Sequence, residues 1–228
     1  MRIFLPSGTP AELATPQGQP SRGLVLAPDI GGLRPVFDAL CARLASEHGW
    51  AVCAPEPFPG RETMTLEERM GSVGQLIDET QLGALTEAAD HLRGMGVEPI
   101  AVLGFCMGGM YALKASGAGP SGKGKRRVFD KAVAFYEIIR VPQQWQSETQ
   151  RPPLEFVTRP GAAPVLAIIG TADPYTPADD VDALEATGAT VVRYEGAQHG
   201  FVHDASRPSH RADDAADAWR RVSAFLAV

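Results

Sequence analysis

Two kinds of segment alternate along the chain when only its apolar and polar positions are considered. Short unbroken apolar runs recur: Gly23–Asp29 (GLVLAPD), Trp50–Glu56 (WAVCAPE), Pro99–Phe105 (PIAVLGF), Lys131–Glu137 (KAVAFYE), Pro164–Gly170 (PVLAIIG) and Ala189–Glu195 (ATVVRYE). Between them lie stretches whose apolar residues repeat at helical spacing. In Arg34–Gly49 these are Val36, Phe37, Leu40, Cys41 and Leu44, with Gly49 as the stop. Leu76–Gly96, Met107–Ser116 and Thr176–Thr187 read as further helices, the last opened by Thr176, Pro177 and early acidic residues. The closing segment sets Ala215, Trp219, Val222, Phe225 and Leu226 on one stripe, which predicts an amphipathic last helix. The initial RIFLP predicts an edge strand, the residues up to Gly71 a long connection, and Ile138–Pro153 a loop.

Strands that are apolar throughout imply a sheet covered on both faces, hence mostly parallel. Alternation with helices then predicts an α/β protein: a doubly wound sheet flanked by helices, one domain over residues 1–228 with no large cap. Ligands of such sheets sit beyond the carboxyl ends of the strands. Chemistry is therefore expected where strands end, at Asp29, Glu56, Cys106, Glu137, Asp173 and His199.

Composition narrows the partners. A net charge of −6 argues against nucleic acid and anionic membranes. The one basic run, Gly122–Arg127, lies among Gly, Ser and Pro and reads as a solvated loop. There is no apolar run long enough to span a bilayer and no signal-like N-terminus, so a cytoplasmic protein is expected, as a monomer or small homo-oligomer. The 3 cysteines show no C-x-x-C spacing, which argues against a disulfide framework or structural zinc. Cys41 and Cys53 fall in apolar patterns, as small core residues do. No cofactor or metal is expected.

Cys106 is different. It occupies the corner of GFCMGG, between a strand and a helix, with Gly104 two residues before and Gly108 two residues after. This is the spacing of a nucleophile elbow, with cysteine where serine is more usual. The sharp turn leaves no room for side chains at the flanking positions, and Gly109 lets the helix approach the sheet. A helix N-terminus favours a thiolate, and the Met107 N–H points to where an oxyanion would form. A thiol nucleophile calls for a base, and the base for an orienting acid, which follow an elbow in the order acid, then histidine. Asp173 follows the Pro164–Gly170 strand, with Pro174 biasing it away from helix. His199 lies in a loop between Gly196 and Gly200 after the next strand. The pattern His199-x-x-x-His203 could suggest a metal, but Gly200 interrupts any helix there. Cys106, His199 and Asp173 together predict hydrolysis of a small-molecule ester or lactone through a thioester acyl-enzyme. Two other readings fit the same corner: a ligand-binding or sensing protein without turnover, and a thiol redox protein.

With these residues in place, the chain resembles the dienelactone hydrolase family of α/β-hydrolases. The resemblance is carried by Gly104–Gly109, Gly170–Pro177 (GTADPYTP), His199–His210 (HGFVHDASRPSH), Asp217–Leu226 and Ala27–Leu33 (APDIGGL). It implies the same three residues as a triad. It also implies that the Ile30 N–H joins Met107 in the oxyanion hole, and that Asp29, a glutamate in the best-known members, pairs with the resting thiol. Members that cleave dienelactone carry a substrate-binding arginine four residues after the histidine; here that residue is His203. Tyr136 matches a family tyrosine near the substrate. With Glu137, Phe201 and His203 it makes the expected substrate pocket.

Overall fold

The computed structural model describes residues 1–119 and 127–227. The six unbroken apolar runs form strands β3 (Arg22–Ala27), β4 (Trp50–Pro55), β5 (Ile100–Phe105), β6 (Lys131–Phe135), β7 (Val165–Gly170) and β8 (Thr190–Tyr194). They pair in parallel in the order β4-β3-β5-β6-β7-β8. An antiparallel extension precedes them: β1 (Arg2–Phe4) pairs with β2 (Pro10–Ala14), and β2 with β4. The predicted edge strand is β1; β2 was not anticipated.

Successive residues of a strand face opposite sides of the sheet. Val25 and Ala27 enter one core and Leu24 and Leu26 the other, and all four are buried. Helices α1 (Pro35–His48) and α7 (Ala212–Ala227) cover one face; α3 (Asp78–Gly94), α4 (Met107–Ser116) and α6 (Ala178–Glu185) cover the other. Helix α1 starts on Pro35 and stops at Gly49, whose φ of 67° is the left-handed conformation that glycine adopts freely.

Two short helices lie in stretches the hydrophobic pattern leaves as connections. Helix α2 (Leu66–Ser72) opens with a complete capping box: the Thr65 side chain accepts from the Glu68 N–H, and the Glu68 carboxylate accepts from the Thr65 N–H. Helix α5 (Pro153–Val157) begins on a proline. A single 3₁₀ turn at Gln143–Trp145 interrupts the predicted loop and buries Trp145. Of the basic run, only Arg127 lies within the described residues; its Nε donates to the Gly161 carbonyl.

Candidate active site

Strand β5 ends at Phe105 and α4 begins at Met107, so Cys106 must turn the chain alone. It does so at φ 56°, a left-handed conformation unusual for a non-glycine residue. The glycines around it are required by contact. A Cβ on Gly104 would lie 2.0 Å from the Gly108 carbonyl oxygen, and one on Gly108 would lie 2.2 Å from that of Ala27. A Cβ on Gly109 would meet the Glu137 Cβ at 2.7 Å. The elbow thus stands on backbone-to-backbone packing of α4 against β3 and β6. The Met107 N–H, at the first position of α4, has no acceptor within the helix.

The loops after β7 and β8 bring Asp173 and His199 to this corner. His199 Nδ1 lies 2.7 Å from Asp173 Oδ2, and Cys106 is close enough to His199 to raise its affinity for a proton. Asp173 is buried, and its other oxygen accepts the Tyr175 N–H at 2.9 Å. Burial alone would lower the affinity of the imidazole for its proton. The hydrogen bond to Asp173 and the interaction with Cys106 outweigh it and raise the His199 pKa to about 9. With Nδ1 directed at the Asp173 carboxylate, Nε2 is the ring nitrogen left to face the thiol.

The loop after β3 carries Ile30 and is gripped from two sides. Asp29 Oδ1 accepts the Gly31 N–H at 2.8 Å, and Arg34 forks onto both Asp29 oxygens at 2.6 and 2.8 Å. From the other side Glu56, at the end of β4, accepts the Leu33 N–H at 2.8 Å and pairs with buried Arg69 at 2.8 Å. Gly32, at φ 65°, sits directly on that pair: a Cβ there would come within 2.5 Å of both Glu56 Oε1 and Arg69 Nη1.

Asp29 is not turned to the thiol. Its hydrogen bonds go to Arg34, the Gly31 amide and His203 Nε2 (3.0 Å), and Cys106 is not among its partners. Those bonds hold its carboxyl well below the usual carboxylate range despite burial, so a short aspartate clasped by a guanidinium replaces the expected thiol partner.

The expected substrate pocket also needs correction. A cavity of about 570 Å³ opens over Cys106 and His199, and none of Tyr136, Glu137, Phe201 or His203 lines it. Their side chains point back into the protein, where the ends of the strands are already covered. Phe201 packs on Tyr136 and Tyr194, and the His203 side chain is completely covered. Glu137 is fully buried with neither oxygen hydrogen-bonded, and burial pushes its carboxyl well above the usual range. The two histidines of the H-x-x-x-H pattern face different carboxylates, His199 toward Asp173 and His203 toward Asp29.

The cavity walls come instead from segments the sequence reading left as connections. Met64, Leu66 and Met70 line one side, Ile138 and Trp145 another, with Tyr175 beside His199. Three arginines reach the cavity. Asp29 holds Arg34 and Glu56 holds Arg69, while Arg207 forms no salt bridge among the described residues and its charge acts on Asp204, which also lines the cavity. The T-x-x-E capping box of α2 was the available sequence signal for the Met64–Met70 wall.

The sequence model of the Dienelactone hydrolase family matches residues 9–228. The chain belongs to the dienelactone hydrolase family. It is a hydrolase of the carboxylic ester and lactone class. Among curated members, a carboxymethylenebutenolidase of Rhodococcus opacus is 30% identical over 218 residues, covering 89% of this chain and 79% of its own. A solved structure from Klebsiella pneumoniae subsp. pneumoniae MGH 78578, named as a candidate dienelactone hydrolase, superposes with a TM-score of 0.85 at 26% identity. It covers 100% of this chain and 97% of its own. An esterase of Thermogutta terrifontis shares the fold at a TM-score of 0.65 and 17% identity, covering 96% of this chain and 90% of its own.

Proposed function

We propose that this member of the family hydrolyses small-molecule esters or lactones with Cys106 as nucleophile, His199 as general base and acid, and Asp173 as the residue that orients His199. The observation that carries this reading is the 2.7 Å contact between the Asp173 carboxylate and the His199 imidazole, with Cys106 beside that ring at the elbow and both Cys106 and His199 lining the cavity. The thiol proton passes to His199 Nε2 before attack, and the sulfur left beside the imidazolium attacks the carbonyl carbon. The tetrahedral oxyanion is stabilised by the N–H groups of Ile30 and Met107. As it collapses, the carbon–oxygen bond to the leaving group breaks, and His199 passes its proton to the departing alkoxide. A lactone opens at this step, with its new hydroxyl still attached to the acyl chain. Water then gives a proton to His199 and attacks the thioester, and the sulfur leaves and recovers that proton. The high proton affinity of His199 favours the first transfer, and Asp173 keeps Nε2 aimed at sulfur.

The cavity falls in the size range that encloses a drug-sized ligand. Its methionines and Trp145 favour an apolar substituent on the acyl or alcohol side, and an anionic group on the substrate would meet Arg207. Incubation with p-nitrophenyl acetate and a lactone panel tests the reading. Wild type should release product and carry an acyl mass on Cys106 in a quenched sample, and Cys106→Ala should lose at least ~100-fold in rate. Equal slow release by both proteins sinks the proposal.

A further inference from the structure

His203 occupies the position at which the resemblance supplies a substrate-binding arginine, yet its side chain is wholly covered. It packs against two rings that also touch each other, with Phe37 stacked at a centroid distance of 5.5 Å and Phe105 at 4.9 Å. Both ring nitrogens are used. Nε2 is 3.0 Å from Asp29 Oδ2, and Nδ1 meets the Tyr136 hydroxyl. Asp29 is ionised and can only accept, so Nε2 carries the hydrogen. In the neutral ring Nδ1 then accepts the Tyr136 O–H. The bonds run in one direction, from Tyr136 to His203 to Asp29, and the Arg34 fork closes the far end.

The sheet order gives this line its meaning. Asp29 stands beyond the end of β3, and Tyr136 directly follows β6. Between those two strands lies β5, whose end carries Cys106. The line therefore bridges the strands on either side of the elbow, with the His203 ring resting on Phe105 of β5. At one end Asp29 sets the loop of Ile30 through the Gly31 amide. At the other, the Tyr136 ring meets the His199 ring edge-on at 5.1 Å. Tyr136 itself has a φ of 36°, a conformation a non-glycine residue keeps only where its surroundings hold it.

We propose that His203 is a positioning residue: the buried Asp29–His203–Tyr136 line is a strut across the end of β5 that fixes both the Ile30 amide and the His199 ring relative to Cys106, and His203 does not touch substrate. The inference rests on the proposed roles of Ile30, His199 and Cys106.

Three variants test it. His203→Phe keeps a ring packed against Phe37 and Phe105 but makes neither hydrogen bond. Tyr136→Phe removes only the other end of the strut. His203→Gln gives up the ring but can donate to Asp29 and accept from Tyr136. The two phenylalanine variants should lose ~10-fold in kcat on p-nitrophenyl acetate with KM within ~2-fold, because an oxyanion donor displaced costs less than the ~100- to 1,000-fold of one deleted. They should bind a trifluoromethyl ketone, which adds to Cys106 as a tetrahedral adduct, more weakly by the same factor. His203→Gln should stay within ~3-fold of wild type in both measurements. A packing role predicts the opposite order, with phenylalanine the better replacement, and a substrate contact predicts a raised KM at unchanged kcat; either result overturns the strut. Hydrogen exchange at the Gly31 amide without substrate decides the matter independently of turnover. It should quicken at least ~10-fold in both phenylalanine variants and stay slow in His203→Gln. If wild type shows no Cys106-dependent hydrolysis, the functional reading has failed, and the exchange order alone supports or overturns the strut.

Discussion

His199 is the residue whose titration the whole site depends on. Its pKa is raised from 6.5 to about 9 because Asp173 and Cys106 together outweigh the desolvation of the ring. A group whose pKa is higher in the folded state binds its proton more tightly there. The resulting stability is fully present below about pH 6.5 and is lost as pH rises through about 9. At 1.36 kcal/mol per unit, the swing is on the order of 3 kcal/mol. Urea denaturation of wild type from pH 6 to pH 10 should show a falling stability across this window. Asp173→Asn, which cannot offer the imidazolium a charge, should flatten the slope by about half or more, whatever it does to absolute stability. An unchanged slope would mean that the proton on His199 is not held by Asp173.

At the scale of elements, the helix that carries the elbow is tied down from behind. Lys114, in the last turn of α4, has its ammonium fully buried 2.7 Å from Asp78 at the start of α3. Asp78 also accepts the Arg151 N–H at 2.8 Å, which draws the segment after the Trp145 turn into the same clasp. Burial lowers the Lys114 pKa, a sign that the pair carries a desolvation cost. Lys114→Met should therefore destabilise by about 3–5 kcal/mol, through an uncompensated Asp78 rather than through lost attraction. Lys114→Met with Asp78→Asn should recover much of that loss in a denaturation cycle; additive losses would contradict this account. The parallel strands were legible in the sequence because residues buried on both faces are apolar at every position, and α1 and α7 because they bury only a stripe. Strand β2 (PAELA) was not, since pairing with β1 and β4 leaves most of its residues half-covered and its pattern mixed. Helices α2 and α5 are too short for a periodicity to form.

At the scale of the molecule, what could be read in advance divides by range of interaction. The elbow is local: four neighbouring residues and the steric demand of one turn specify it, so Cys106 stood out. Asp173 and His199 were legible because the topology brings successive strand ends to one edge of the sheet. Which way a side chain turns beyond a strand end is decided by distant partners. Asp29 was taken by Arg34 and His203, Tyr136 by His203, and the cavity was walled by segments with no strand or long helix of their own. The same distribution of burial sorts the three thiols of the chain. Cys41 and Cys53 lie buried in the cores on opposite faces of the sheet, their thiols pushed up to about 12, while Cys106 is partly exposed at the cavity. A chromogenic disulfide reagent at pH 8 should therefore release one equivalent of colour from native protein and three from protein in guanidinium. A covalent inhibitor of the site should cut the native count to zero and the denatured count to two. A native count above one would contradict this sorting. The folded chain thus reports its own concentration of competent sites, by stoichiometry and without reference to any substrate.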